Sequence, residues 1–251
     1  MRVDDSECFG NAGLRLARGV ASGVVLAGGL AVERRDFMGD AMNEQLGLDR
    51  SKLPMPYYEE PGIVIFHADC RAILPLLPKV DLVLTDPPYG IGLAANPFRQ
   101  KFESSEWDNE VVDSALLAKI IAIGAVSIVW GGNYFGLPAH QRFLVWDKVQ
   151  PEDFSSAMCE QAWTNIGGPA KLFRRHVVSY EKWHPTQKPL ELMQWCLSFA
   201  PDAQTILDPF MGSGTTLRAA KDLGRSAIGI EIEEKYCAIA VERLRQAVLP
   251  L

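Results

Sequence analysis

From residue 63 onward, short apolar runs alternate with longer segments in which apolar positions recur every three or four residues. Ile63–Phe66, Asp81–Thr85, Val126–Trp130, Arg142–Trp146, Glu160–Thr164, Thr205–Leu207 and Ser226–Ile230 have the length and β-branched or aromatic content of strands. Asp69–Leu77, closed by Pro78, and Val112–Gly124, Leu190–Phe199, Thr215–Leu223 and Glu234–Val248 carry the helical period. Strands alternating with helices predict a mainly parallel sheet covered on both faces. The consecutive strand-like runs in the middle predict an antiparallel element at one edge. No internal repeat or low-complexity tract interrupts this rhythm.

Residues 1–60 lack such a period and end in a run punctuated by Pro54, Pro56 and Pro61, so they read as a mobile N-terminal extension. Residues 61–251 then form one domain, with loops at about 90–110 and 147–183. Inside the extension, Gly19–Val32 is apolar and follows Arg15 and Arg18, but its 14 residues, four of them glycine, are too few to span a bilayer as a helix. Cys8, Cys70, Cys159, Cys196 and Cys237 show neither a CxxC nor a Cys/His ligand spacing, which predicts no zinc site and no disulfide framework. A cytoplasmic protein without a membrane segment is the expectation. The net charge of −6 excludes a nonspecific polycation, so any nucleic-acid contact must come from a local basic patch.

Two runs stand at the carboxyl ends of predicted strands. In Asp208-Pro209-Phe210-Met211-Gly212-Ser213-Gly214-Thr215-Thr216 the chain leaves a strand, turns through two glycines and enters a helix. Glycines let backbone approach a ligand, and a helix amino terminus offers unpaired N–H donors, which suits a carboxylate such as that of S-adenosylmethionine. Glu231 follows at the distance at which dinucleotide-type folds place an acid on ribose hydroxyls. Asp69, with Cys70 after it, falls at the same sheet edge, either accepting from an adenine amino group or simply capping its helix.

The second run is Asp86-Pro87-Pro88-Tyr89. An exocyclic amino group on a base is a poor nucleophile because its lone pair is delocalised into the ring. Acceptors for both amino hydrogens favour a pyramidal nitrogen and free that lone pair. The Asp86 carboxylate and the Pro87 carbonyl can be those acceptors, the two prolines restrict their aim, and Tyr89 can stack on a flipped base. This chemistry needs no metal.

These two runs, with His184-Pro185-Thr186-Gln187-Lys188-Pro189, resemble the β-class of amino-group DNA methyltransferases, in which the catalytic motif precedes the cofactor motif; the likeness covers about Ile63–Val248. The resemblance implies a Rossmann-like, S-adenosylmethionine-dependent methyltransferase fold with a seven-stranded mixed sheet, in which the strands ending at Asp86 and Asp208 are neighbours. It implies that Asp86, Pro87, Pro88 and Tyr89 are catalytic. It implies cofactor contacts from Asp69, Cys70, Thr186, Lys188, Asp208, Pro209, Phe210, Gly212, Ser213, Gly214, Thr215 and Glu231, with Thr186 and Lys188 at the methionine end. Family members with Asp at the first catalytic position more often act on adenine N6, those with Ser on cytosine N4. The expected substrate is therefore adenine in double-stranded DNA, and the protein partners to weigh are a second copy of the chain and a cognate restriction endonuclease.

DNA contacts are expected from Arg99 and Lys101, interleaved with Phe98, Phe102 and Trp107, and from Lys171, Arg174 and Arg175. Solvated loops are the alternative for both stretches. No long target-recognition insertion is visible, so base-sequence specificity rests on these loops, on a dimer partner, or is weak. The rival activities are cytosine-N4 methylation, DNA binding without turnover, and methylation of a protein glutamine. The last is usually found with Asn at the first catalytic position.

Overall fold

The computed structural model describes residues 44, 46–89, 112–152, 157–177 and 187–246, and within them nine strands form one mixed sheet. In chain order they are β1 (Tyr58–Glu60), β2 (Ile63–His67), β3 (Val80–Thr85), β4 (Gly124–Trp130), β5 (Phe143–Asp147), β6 (Cys159–Thr164), β7 (Lys171–Arg174), β8 (Thr205–Asp208) and β9 (Ser226–Glu231). The helices are α1 (Cys70–Ile73, prolonged by a 3-10 turn at Leu74–Leu76), α2 (Ser114–Ile123), α3 (Leu190–Leu197), α4 (Thr215–Asp222) and α5 (Glu234–Arg245). Across the sheet the strands run β1-β2-β9-β8-β3-β4-β6-β5-β7. The five from β2 to β4 in that order are parallel, whereas β6 is antiparallel to both β4 and β5.

Both faces of the central strands are buried, as their unbroken apolar runs require. On one face Ile65, Leu84, Ile128 and Ile206 pack with Leu192, Leu217 and Leu244 from α3, α4 and α5. On the other, Phe66, Val83, Val129 and Ile228 pack with Ile73 from α1 and with Leu117 and Ile120 from α2. Asp69 and Asp113 begin α1 and α2 as N-caps, accepting from Arg71 N at 2.8 Å and from Ala115 N at 3.0 Å.

The seven strands expected from the sequence are the inner seven, and β1 and β7 are added at the two edges. β7 reads as a basic loop because Lys171, Leu172 and Arg174 are exposed and Phe173 alone packs against the core. β1 lies within the stretch read as an extension. There Leu46, Leu48 and Leu53 are buried against the α1/α2 face, and Tyr58–Glu60 pair antiparallel with Ile63–Ile65. The folded body therefore begins upstream of residue 61, the prolines marking turns into an edge strand, not a boundary. Residues 1–43, with Cys8 and Gly19–Val32, lie outside the described residues.

Leu46 is 3% exposed. Leu46→Ala is expected to lower unfolding free energy by about 2–4 kcal/mol in urea titration, as a core truncation does, with the slope unchanged. A change of a few tenths would return this segment to the status of an extension.

Candidate active site

β8 hands the chain to β9 on one side, and β3 hands it to β4 on the other, so their shared border is a topological switch point, where a crevice opens outside the carboxyl ends of the strands. The two motif runs leave the sheet there. Thr85 Oγ1 donates to Asp208 Oδ1 at 2.8 Å and ties the two strand ends together. A cavity of about 280 Å³ occupies the crevice, lined by Asp86 and Pro88 from one run and by Asp208 through Ser213 and Thr215 from the other. Asp69, Cys70, Lys188 and Glu231 complete the expected part of the wall, and Gln187, Thr216 and Tyr236 are additions.

The cofactor-side loop is held from below. Glu231 accepts from Gly212 N at 2.9 Å through one oxygen and from Glu233 N at 2.8 Å through the other. Arg243, reaching up from α5, donates to Ser213 O at 2.5 Å and to Thr215 Oγ1 at 3.0 Å. Arg243 carries no motif signal, and only the packing of α5 under the loop reveals it. Gly214 does not line the cavity: it sits at φ +73°, where a Cβ would stand 2.7 Å from Ala240 Cβ. Its role is to let α4 start against α5. Burial pushes the Glu231 carboxyl up from 4.5 to about 7 and that of Asp208 from 3.8 to about 6.

On the catalytic side, Tyr89 OH donates to Asp86 Oδ1 and Lys188 Nζ donates to Asp86 Oδ2. Lys188, 4% exposed, also pairs with Glu160 Oε2 at 3.0 Å, and Lys148 pairs with Glu160 Oε1 at 2.5 Å. Strand register explains the cluster. β6 runs antiparallel, so its first residues reach the edge where the parallel strands end. Glu160 lies opposite Trp146, and Lys148 lies just past the end of β5. Burial raises the Asp86 carboxyl, and the Lys188 ammonium opposes that rise. Burial would raise Glu160 too, but Lys188 and Lys148 hold it down at about 2. Burial alone would discharge Lys188, yet Asp86 and Glu160 keep it protonated well above the ordinary lysine range.

The Tyr89 ring is not the open platform that the motif suggests. It stacks on Tyr134 with centroids 5.1 Å apart and planes 24° apart. Gly131, at φ +70°, leaves room for it: a Cβ there would fall 2.1 Å from a ring carbon. Pro87 and Tyr89 are not among the residues lining the cavity. Lys188, expected near the methionine end of a cofactor, lines the cavity and is bonded to Asp86. Lys171, Arg174 and Arg175 lie along and just after β7, away from the cavity lining, with Arg174 paired to Asp147 at 3.0 Å and Arg175 to Glu191 at 2.6 Å. Arg99, Lys101, Phe98, Phe102, Trp107 and Thr186 lie outside the described residues. Among the described residues no group of three or more side chains has metal-ligand geometry, and no helix is long and apolar enough to cross a membrane.

The N6/N4 DNA methylase family model matches residues 129–242, which include Glu160, Lys188 and the Asp208–Thr216 loop. The type II methyltransferase M.ScaI of Streptomyces caespitosus is 26% identical over 275 aligned residues, covering 82% of this chain and 89% of that protein. Over these matches the chain is similar to amino-group DNA methyltransferases. Two solved structures share the fold of this chain. One is the M1.HpyAVI–SAM complex, with a TM-score of 0.51 at 24% identity over 73% of this chain and 99% of that one. The other is the cytosine-N4-specific PvuII DNA methyltransferase, with a TM-score of 0.54 at 16% identity over 78% and 90%.

A carboxyl group whose pKa is higher in the fold than in the unfolded chain takes up a proton on folding, so the stability it contributes is full below the unfolded value and is lost as pH rises. For Glu231 that window runs from 4.5 to about 7. The thermal midpoint is expected to fall across it, and Glu231→Gln, less stable overall through loss of one acceptor, is expected to show a flatter profile by calorimetry.

Proposed function

We propose that the chain transfers a methyl group from S-adenosylmethionine to the N6 amino group of adenine in double-stranded DNA. The observation that carries this is the single cavity shared by Asp86 and the Gly212–Ser213 turn across the β3/β8 switch point. The wall fits such a cofactor. It offers the half-ionised Glu231 for paired hydroxyls, Asp69 toward an amino group, apolar surface from Pro209, Phe210 and Ile232 for a flat ring, and the start of α4 for a carboxylate. When bound there, S-adenosylmethionine supplies a methyl group on a cationic sulfur that keeps the carbon–sulfur electron pair.

The residues of the chain do the rest. Asp86 accepts one amino hydrogen, and the Pro87 carbonyl accepts the other, held by the fixed φ of two successive prolines. The nitrogen lone pair turns out of the ring plane and forms the new carbon–nitrogen bond. The nitrogen then sheds its extra proton, for which the Asp86 carboxylate, raised by burial, is the nearby acceptor. Tyr89, anchored by its hydroxyl to Asp86 and seated on Gly131, presents its ring to the base, and Tyr134 is the aromatic that such a base would replace.

Asp86 supports adenine over cytosine by the tendency of the family. Recognition falls to residues 90–110 and to the segment 147–183, which carries β6 and β7, with Arg99, Lys101 and Lys171 as phosphate contacts. Arg174 and Arg175 contribute less, since each already faces a carboxylate. The type II names of the relatives support a modification role in the cytoplasm beside a cognate restriction endonuclease.

Plasmid DNA from an expressing host, digested to nucleosides for mass spectrometry, is expected to contain N6-methyladenine. N4-methylcytosine in its place would overturn the choice of base, and bound but unmodified DNA would point to a silent relative. Asp86→Ala is expected to lower kcat by about a hundredfold or more, with the Kd for S-adenosylmethionine within about threefold.

A further inference from the structure

Both oxygens of Asp86 are engaged by side chains of the protein, Oδ1 by the Tyr89 hydroxyl and Oδ2 by the Lys188 ammonium. A base amino hydrogen arriving at Asp86 therefore meets an acceptor already engaged by a full positive charge. An ammonium on a carboxylate oxygen draws off electron density and weakens it as an acceptor. Lys188 cannot leave for solvent. It is buried among Asp86, Glu160 and the rings of Tyr89 and Trp130, whose centroids lie 5.7 and 5.8 Å from Nζ.

We propose that Glu160 is a positioning residue for methyl transfer: it is the second seat to which Lys188 withdraws when a base amino group takes the Asp86 oxygen. The inference rests on the methyl-transfer reading of the site. Three features support it. Nζ already bridges the two acids, 3.0 Å from Glu160 Oε2, so the transfer needs only a small rotation. Lys148, itself 7% exposed, occupies Oε1 and fixes Glu160 in place while leaving Oε2 to Lys188. The four side chains alternate in sign, so the ammonium moves between two anions without uncovering a buried charge. Facing it are Asp86 and Tyr89 from the turn after β3 and Glu160 from β6, with Lys148 behind Glu160 and Asp208 bordering Asp86 from β8.

The test uses the full chain, with Glu160→Gln and, in case that change leaves too much buried positive charge to fold, the charge-balanced pair Glu160→Gln with Lys148→Met. Either protein leaves Lys188 only Asp86 to pair with. Two measurements are made: kcat for methyl transfer to duplex DNA beside the Kd for S-adenosylmethionine, and the carboxyl titration of Asp86 by carbon-13 NMR in ligand-free protein. The expected result is a kcat lower by about tenfold or more with the Kd within about twofold, and an Asp86 pKa lower than wild type by about one unit as the ammonium settles on it. Wild-type kcat in either variant, or an Asp86 titration that stays put or moves up, overturns the proposal. A wild-type protein that methylates no DNA defeats the methyl-transfer reading instead. The NMR arm then decides the seat in the charge-balanced pair, where the lost Glu160 repulsion on Asp86 is countered by the lost Lys148 charge: a downward shift there upholds the seat and any other result removes it.

Discussion

A carboxylate at a place from which water is largely excluded stays charged only when it is paired, and the Asp86 edge of the cavity is organised around that constraint. An unpaired buried carboxylate would cost several kcal/mol or take up a proton, and as a neutral acid it would be a far poorer acceptor. Asp86 is kept from that outcome by Lys188. Lys188 is itself buried and needs more negative charge than one acid supplies, which Glu160 adds, and Glu160 is balanced in turn by Lys148. Each ion is present because of the one before it. Lys148 ends the series at the sheet edge, where its ammonium lies 5.4 Å from the Trp146 ring centroid.

The acids on the cofactor side are treated differently, and the contrast separates the two halves of the cavity. Glu231 and Asp208 are as deeply placed as Asp86, but hydroxyl and backbone N–H donors satisfy them instead of a cation. Such donors offset burial only in part, so both acids titrate near neutrality. A half-charged acid is suited to hydroxyl and amino donors, which it can meet in either protonation state. A fully formed ion pair is suited to a single geometry and a single moment in a reaction. The Thr85–Asp208 bond joins the two halves, so the strand that aims Asp86 is also the neighbour that orders the glycine turn.

The sequence made legible whatever depends on the chain's local order. Apolar runs of the right length marked the inner seven strands, and strand-end acids followed by proline or glycine marked both halves of the site, because a strand's carboxyl end is where a parallel sheet must expose functional groups. What stayed hidden depends on register between distant segments. Glu160 and Lys148 are polar residues at the ends of half-apolar strands, which reads as ordinary fraying until the antiparallel turn of β6 brings both to the edge that holds Asp86. The visible signal was a charged residue standing near buried apolar positions, Lys148 two residues after Trp146 and Glu160 two before Ala162. Lys188 was visible as a cavity residue, but its pairing with Asp86 and Glu160 was not, since no motif says which way a lysine leaves the turn before α3. β1 and β7 were missed because each buries so little that alternation of apolar and polar positions never develops.

Permuted order has a physical consequence beyond topology. Asp86 and Asp208 stand 122 positions apart in the chain, yet their strands are hydrogen-bonded neighbours through Leu82–Ile206 and Val83–Leu207. Closing so long a loop is entropically costly and must be recovered through packing that the two halves share. The central strands supply it, since Leu82, Val83, Leu84, Ile206 and Leu207 are fully buried. The site therefore cannot assemble before the middle of the sheet has closed. Segments 129–152 and 157–177, which bring Lys148 and Glu160, lie inside that loop, so the same closure that creates the switch point also delivers the counter-ions that make Asp86 usable there.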